Sequence, residues 1–296
     1  MRFRSPLRYP GGKGKLANYI KLVFEGNNLL DGHYVEPYAG GASVAFSLLF
    51  EEYASHIHIN DLNAPVYAFW HSVLNDSETL CCLIDSTSVT MKEWKRQKAI
   101  QNDSENYSLT ELGFSTFFLN RTNRSGIIGG GVIGGKAQQG EWKIDARYNK
   151  ADLCHRIEKI ARYRDRVSLY NLDASQFIVN ILPELPKKTL VYLDPPYYVK
   201  GKGLYENHYQ HEDHVAVAKL ITKKIKQKWI ISYDSAPEIC KLYKAHRQMI
   251  YGLNYSAADR YEGSEVIVFC NKLSIPEIEN PTKVKNNHHY EFALSY

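Results

Sequence analysis

Two adjacent glycines, Gly40 and Gly41, lie between a strand-like run and an apolar helix-like one, and this junction restricts the fold more than any other feature. His33-Tyr34-Val35-Glu36 has the aromatic and β-branched character of a buried strand. Val44 to Phe50 is apolar enough for a largely buried helix. Strand, glycine turn and helix open a doubly wound α/β sheet, where missing β-carbons let a ligand approach the backbone. A further strand over 56–60 runs into Asp61, 21 positions past Gly40, the usual place for a carboxylate that accepts ribose hydroxyls. As an alternative, Asp61 caps the helix-like segment over 63–74.

A second junction adds chemistry. Thr189-Leu190-Val191-Tyr192-Leu193 reads as a buried strand, and Asp194-Pro195-Pro196-Tyr197 follows it directly. The two prolines fix φ and donate no N–H, so they end the ladder. A carboxylate, a carbonyl and an aromatic ring are thereby set at the carboxyl end of a strand, where open α/β sheets bind ligands. Two acceptors beside a ring suit a planar substrate bearing an amino group. The plain alternative is a Pro-Pro turn with Asp194 as its local turn-former.

The remaining pattern agrees with one nucleotide-type sheet domain carrying an insertion. Strands are expected over 167–170, 190–193, 229–232 and 266–269, and Leu16, Ile20, Val23 and Phe24 have the spacing of an amphipathic helix. Residues 1–62 and 150–296 are assigned to the sheet, and 63–149 to a mainly helical insertion with a glycine-rich hairpin over 126–135. From Lys272 onward the chain is polar and is expected to be loosely held. Gly40-Gly41-Ala42, with Ala45 at the last position, breaks the Gly-x-Gly-x-x-Gly pattern that seats a pyrophosphate. That disfavours a dinucleotide and favours a nucleoside cofactor such as S-adenosylmethionine.

Charge sets one segment apart. Residues 91–166 hold 15 Lys plus Arg against 9 Asp plus Glu, while the rest of the chain holds 22 against 23. A basic excess confined to one quarter of the chain suits a polyanion partner. Asn120, Arg121, Asn123, Arg124, Lys136 and Arg147 lie in that stretch, and Arg and Asn are the side chains that contact guanine and adenine in pairs of hydrogen bonds. The bland alternative is a flexible surface loop. No apolar run approaches the length of a membrane span, no signal-peptide core follows the first residues, and the five cysteines lack metal or secreted spacing. A cytoplasmic protein with reduced thiols and no metal is expected.

Taken in order, Arg8-Tyr9-Pro10-Gly11-Gly12-Lys13, Glu36-Pro37-Tyr38-Ala39-Gly40, Asp61, residues 119–126, Arg147-Tyr148-Asn149-Lys150, Asp173 and Asp194-Pro195-Pro196-Tyr197 resemble the Dam-type (D12 class) adenine-specific DNA methyltransferases. The resemblance covers most of the chain. It departs at Ala42, where many members have glycine, at Tyr9, where some have tryptophan, and at Ala174, where a larger residue is common. It implies a Rossmann-like methyltransferase sheet and sequence-specific methyl transfer from S-adenosylmethionine to the exocyclic amine of a flipped adenine in duplex DNA. Tyr9, Lys13, Glu36, Tyr38, Gly40, Asp61, Asp173 and Asp194 would bind the cofactor, with Asp173 accepting from its adenine amine. Asp194 and the Pro195 carbonyl would each accept an N–H of the target amine, with Tyr197 stacking on its ring and residues 198–211 as a candidate lid. A monomer is expected, and a separate cognate restriction endonuclease is left open. Other readings are a methyltransferase for RNA or protein amides, a dinucleotide-dependent oxidoreductase, and a catalytically silent DNA-binding protein.

Overall fold

In the computed structural model the described residues are 5–9, 11–199, 209–254 and 262–285. Among them the strands are β1 (Gly32–Glu36), β2 (Ala54–Asn60), β3 (Val167–Tyr170), β4 (Thr189–Leu193), β5 (Lys228–Asp234), β6 (Arg247–Asn254) and β7 (Glu262–Phe269). The helices are α1 (Ala17–Gly26), α2 (Ser43–Phe50), α3 (Ala64–Asn75), α4 (Ser77–Ser86), α5 (Met91–Asn102), α6 (Leu109–Thr122), α7 (Lys150–Ala161), α8 (Ala174–Asn180), α9 (His211–Lys224) and α10 (Pro237–Leu242). One sheet contains every strand, in the order β3-β2-β1-β4-β5-β7-β6. β1 pairs in parallel with β2 and β4, β4 with β5, and β7 runs antiparallel to β5 and β6. The chain leaves β1 toward β2 and later returns on its other side with β4. The switch point therefore falls between β1 and β4, where such sheets bind ligands.

By packing, the chain forms two compact units. The first consists of residues 13–39, 44–60 and 172–296. Every residue of β4 is buried, as is all of β5 but its first, which explains their continuous apolar sequences. β6, which the sequence pattern does not mark, is the edge strand opposite β3, and its Ile250 is exposed. Residues 272–285 are packed, contrary to expectation. Leu273 and Val284 are buried, the Asn18 amide donates to the Val284 carbonyl, and Asn27 exchanges two hydrogen bonds with Ser274. Widely spaced apolar anchors and paired amides hold a stretch whose composition reads as polar. Residues 286–296 lie outside the described residues.

The second unit consists of residues 1–12, 40–43 and 61–171. It is larger than the 63–149 insertion expected from sequence. Its central helix is α6, buried continuously from Leu112 to Thr122. Ser108 begins it with a reciprocal cap to Glu111, an arrangement typically worth about 1 kcal/mol. A β-carbon on Gly113 would lie 2.6 Å from the Ala68 carbonyl oxygen of α3, so glycine is what permits this close crossing. The Phe69 and Phe117 rings stack at 5.9 Å, and Tyr148 packs at 5.5 Å in a T-shaped contact with Phe117 and a tilted one with Phe118.

The glycine-rich segment is not a two-stranded hairpin. Among the described residues its ladder is one antiparallel bridge, Asn123 to Val132. Positive φ at Ser125 and Gln138 turns the chain out of extended conformation. The Gln138 amide then donates to the carbonyls of Ile133 and Gly135 and accepts from the N–H of Ile144, replacing ladder partners with a side chain. No helix among the described residues is long and apolar enough to cross a membrane.

Candidate active site

The candidate residues divide between the two units. In the helical unit, the glycine turn is closed from three directions. Gly40 has φ of +47°, and its N–H donates to Asp61 Oδ2 at 2.8 Å while its carbonyl accepts from Trp70 Nε1 at 2.8 Å. A β-carbon at Gly40 would sit 2.6 Å from the Tyr9 ring, so the turn accepts no larger residue without displacing that ring. Asp61 Oδ1 accepts the N–H of Asn63 at 3.0 Å. Burial raises the Asp61 pKa to about 6, against the lowering effect of these two donors. The cap of α3 is Asn63, whose side chain accepts from Val66 N–H, so Asp61 is not the capping residue. Trp70 and Asn63 were not singled out in the sequence.

In the sheet unit, β1 delivers Glu36 and β4 delivers Asp194. Glu36 is buried, and its Oε1 accepts from the Tyr34 hydroxyl at 3.0 Å and from Ala45 N–H, near the start of α2, at 3.2 Å. Burial pushes its pKa up to about 8. Its side chain thus braces the exit of the strand. Tyr38 places its hydroxyl 3.3 Å from that of Tyr209. Asn60, fully buried and unremarked in the sequence, donates to the carbonyls of Pro37 and Leu172 and accepts from Leu172 N–H. It thereby ties together the loops that carry Tyr38 and Asp173. Asp173 caps α8, its Oδ1 accepting from Ser175 N–H at 2.8 Å.

Asp194 follows β4 with its side chain about one-fifth exposed (21%). Oδ2 lies 3.0 Å from Lys13 Nζ, and Oδ1 accepts from Ser232 Oγ at 2.8 Å. Ser232, on β5, is in turn 2.8 Å from the Tyr192 hydroxyl. Lys13 stands in a 3-10 turn (Lys13–Leu16) before α1, and its Nζ is 4.8 Å from the Tyr197 ring centroid. One face of Tyr197 is therefore covered by the ammonium. Its hydroxyl is buried without a partner among the described residues. The Asp194 carboxyl is held above the usual carboxylate range, first by burial and then by Glu265, while Lys13 and the Ser232 hydroxyl act the other way. After the prolines, the N–H groups of Tyr198 and Val199 donate to the two oxygens of Asp234 at 2.9 and 2.7 Å. Ser232 was missed because 229–232 reads as a core strand, and Asp234 and Glu265 because β5 and β7 extend beyond the expected 229–232 and 266–269. Of the candidate lid over 198–211, residues 200–208 lie outside the described residues.

The six expected DNA contacts separate sharply. Asn120, Arg121 and Asn123 are buried, with hydrogen bonds to other parts of the protein. Asn120 accepts from Arg8 N–H and donates to the carbonyls of Arg8 and Gly126. Arg121 donates to the Pro6 carbonyl, and burial lowers its pKa to about 9. Asn123 accepts from Trp94 Nε1 and donates to the carbonyls of Ile127 and Ile128. In this structure these three side chains are buried and hydrogen-bonded within the protein, a placement the sequence reading did not expect. Arg124, Lys136 and Arg147 are exposed. Arg147 also lies 5.6 Å from the ring of Trp142, an aromatic residue that is 58% exposed and unmarked in the sequence reading.

Among solved structures, the chain is similar to a putative RNA methyltransferase from Pyrococcus horikoshii, with TM-score 0.42 and 8% identity over 87% of this chain and 84% of that one. It is also similar to a precorrin-6y C5,15-methyltransferase from Geobacter metallireducens GS-15, with TM-score 0.34 and 10% identity over 84% and 85%. No match was found among curated proteins. At these TM-scores the structural likenesses carry little weight, and assignment rests on the sequence family. The model of the D12 class N6 adenine-specific DNA methyltransferases matches residues 9–256, most of the chain, so this protein belongs to that family of enzymes.

Proposed function

We propose that the protein methylates the exocyclic amine of adenine within a specific sequence of duplex DNA, using S-adenosylmethionine and a base flipped out of the helix. The observation that carries this reading is Asp194, fixed through both oxygens by Lys13 and Ser232 at the carboxyl end of β4. Each oxygen has one such donor and retains a lone pair for a substrate N–H. The neighbouring Pro195 carbonyl, two residues past the end of β4, is proposed as the second acceptor. Two acceptors on the amine direct its lone pair away from them, and positioning of this kind provides much of the rate of a displacement reaction. Flipping costs a few kcal/mol, which stacking of the base on Tyr197 would help offset.

Each unit carries donors and acceptors suited to parts of the cofactor: in the helical unit Asp61 suits ribose hydroxyls and Tyr9 lies against Gly40, and in the sheet unit Asp173 suits an adenine amine while Glu36 and Tyr38 flank the exit of β1. Lys13, the cation nearest Asp194, is already paired with carboxylates, so the site suits a positively charged donor and not a pyrophosphate. When bound, S-adenosylmethionine supplies an electrophilic methyl carbon on sulfur. Exposed Arg124, Lys136 and Arg147 are the groups proposed to meet DNA.

The test is transfer of labelled methyl groups to unmodified duplex DNA, followed by nucleoside analysis. N6-methyladenine is expected with the native protein, and none with Asp194→Ala. Label in RNA or protein but not in DNA would overturn the substrate. Native turnover by Asp194→Ala would overturn the site.

A further inference from the structure

A second carboxylate lies beside the Lys13 ammonium. Glu265, on β7, is 1% exposed. Its Oε1 lies 3.9 Å from Lys13 Nζ, and its Oε2 accepts from the Tyr251 hydroxyl of β6 at 2.7 Å. A buried carboxylate in a sheet strand is costly unless it is paired, and its pairing here is with the same ammonium that grips Asp194. Lys13 thus stands between two acceptors, with the Tyr197 ring beside it.

We propose that Glu265 is a positioning residue for methyl transfer: by sharing the Lys13 ammonium, it leaves the Asp194 carboxylate with enough negative character to take the proton that the substrate amine must lose. This rests on the reading of Asp194 given above. In the transfer, the amine lone pair forms the new N–C bond while the methyl–sulfur bond breaks and its electron pair stays on sulfur. The nitrogen then carries a positive charge, and an N–H proton passes to an Asp194 oxygen, the N–H electron pair remaining on nitrogen. A lysine paired with Asp194 alone would neutralise that oxygen and weaken it as an acceptor. Glu265 opposes this effect across 3.9 Å of protein interior, where charges interact strongly. The charged and titratable groups around Asp194 are Lys13 from the 3-10 turn, Glu265 from β7, Tyr251 from β6, Tyr34 and Glu36 from β1, Tyr192 from β4 and Tyr197 beyond it. Of these, Lys13 and Glu265 act most strongly after burial itself, and in opposite directions.

The test uses the full chain in two measurements. In protein without cofactor, the Asp194 carboxyl carbon is followed by NMR against pH, assigned by its loss in Asp194→Asn. Single-turnover methyl transfer to duplex DNA is measured over the same range. Glu265→Gln removes a negative neighbour, so Asp194 should ionise more easily and titrate about one pH unit lower, within the usual reach of a close charge. The plateau rate should fall about tenfold, equivalent to one proton-affinity unit transmitted to the acceptor. Glu265→Asp should restore the titration and most of the rate. An unchanged Asp194 titration in Glu265→Gln, with or without a slower rate, overturns the proposal, because a purely structural role would not move that titration. If Glu265→Gln does not fold, Tyr251→Phe replaces it. Without the hydroxyl that holds its Oε2, Glu265 is no longer fixed beside Lys13, so the Asp194 titration should move from its native position, and no shift overturns the idea. Undiminished transfer by Asp194→Ala would instead bring down the underlying reading, whatever the NMR titration reports.

Discussion

Glu36 sits where burial works against ionisation. Its unfolded value of 4.5 rises to about 8 in the protein, so over that window the unfolded chain binds fewer protons than the folded one. The Glu36 contribution to stability therefore falls as pH rises from about 4.5 to about 8. Glu36→Gln keeps an oxygen for Tyr34 and Ala45 but removes the titration. Its thermal midpoint should gain on the native protein between about pH 5 and about pH 8, and a constant difference would mean Glu36 is charged throughout. Asn123 and Arg124 offer a paired contrast. Asn123→Ala strips three hydrogen bonds from a fully buried position and should cost about 2–4 kcal/mol in chemical denaturation. Arg124→Ala should leave stability alone and weaken discrimination between cognate and altered duplexes by about 1–3 kcal/mol, read by competition binding. Their sequence neighbourhood is the same. Asp194 and Asp61 were legible because their positions after strands and turns carry the information. The fate of Asn120 and Asn123 was not, since the same amide chemistry serves a base edge or a distant carbonyl, and partners such as Trp94 and Arg8 lie far along the chain.

At the scale of elements, β4 and β5 were legible because they are buried and their apolar runs need no knowledge of neighbours, while β3, an edge strand with every residue half-buried, was legible from its β-branched and aromatic residues alone. β6 escaped because an edge strand is half exposed, and Gly252 interrupts its apolar pattern. Residues 272–285 escaped for a related reason, since Leu273 and Val284 stand too far apart to form a run. The pairing of α3 with α6 likewise depends on one small residue that periodicity cannot weigh. Gly113→Val would drive methyl groups into the Ala68 carbonyl and the Ser72 hydroxyl. The expected result is a loss of about 1–3 kcal/mol in urea unfolding, as for other overpacked interiors, with α3 and α6 amides exchanging faster. Exchange limited to the chain ends would show that the crossing tolerates the added volume.

For the whole molecule, the basic excess between residues 91 and 166 suits a partner bound through its phosphates. Affinity for duplexes of any sequence should fall steeply between low and moderate salt, and Lys136→Ala or Arg147→Ala should each reduce the salt slope by about one. A slope unchanged in both variants would remove these side chains from the backbone contact. The Asn60 amide has a separate consequence for binding. Because it joins the Pro37 and Leu172 backbones through contacts made entirely within the protein, the spacing of those two loops does not wait for a guest. A visitor to the mouth of the sheet finds its walls already set, and little of its affinity is consumed in ordering them. Slow hydrogen exchange at the Leu172 amide before any small molecule is added would be the mark of such a rigid frame.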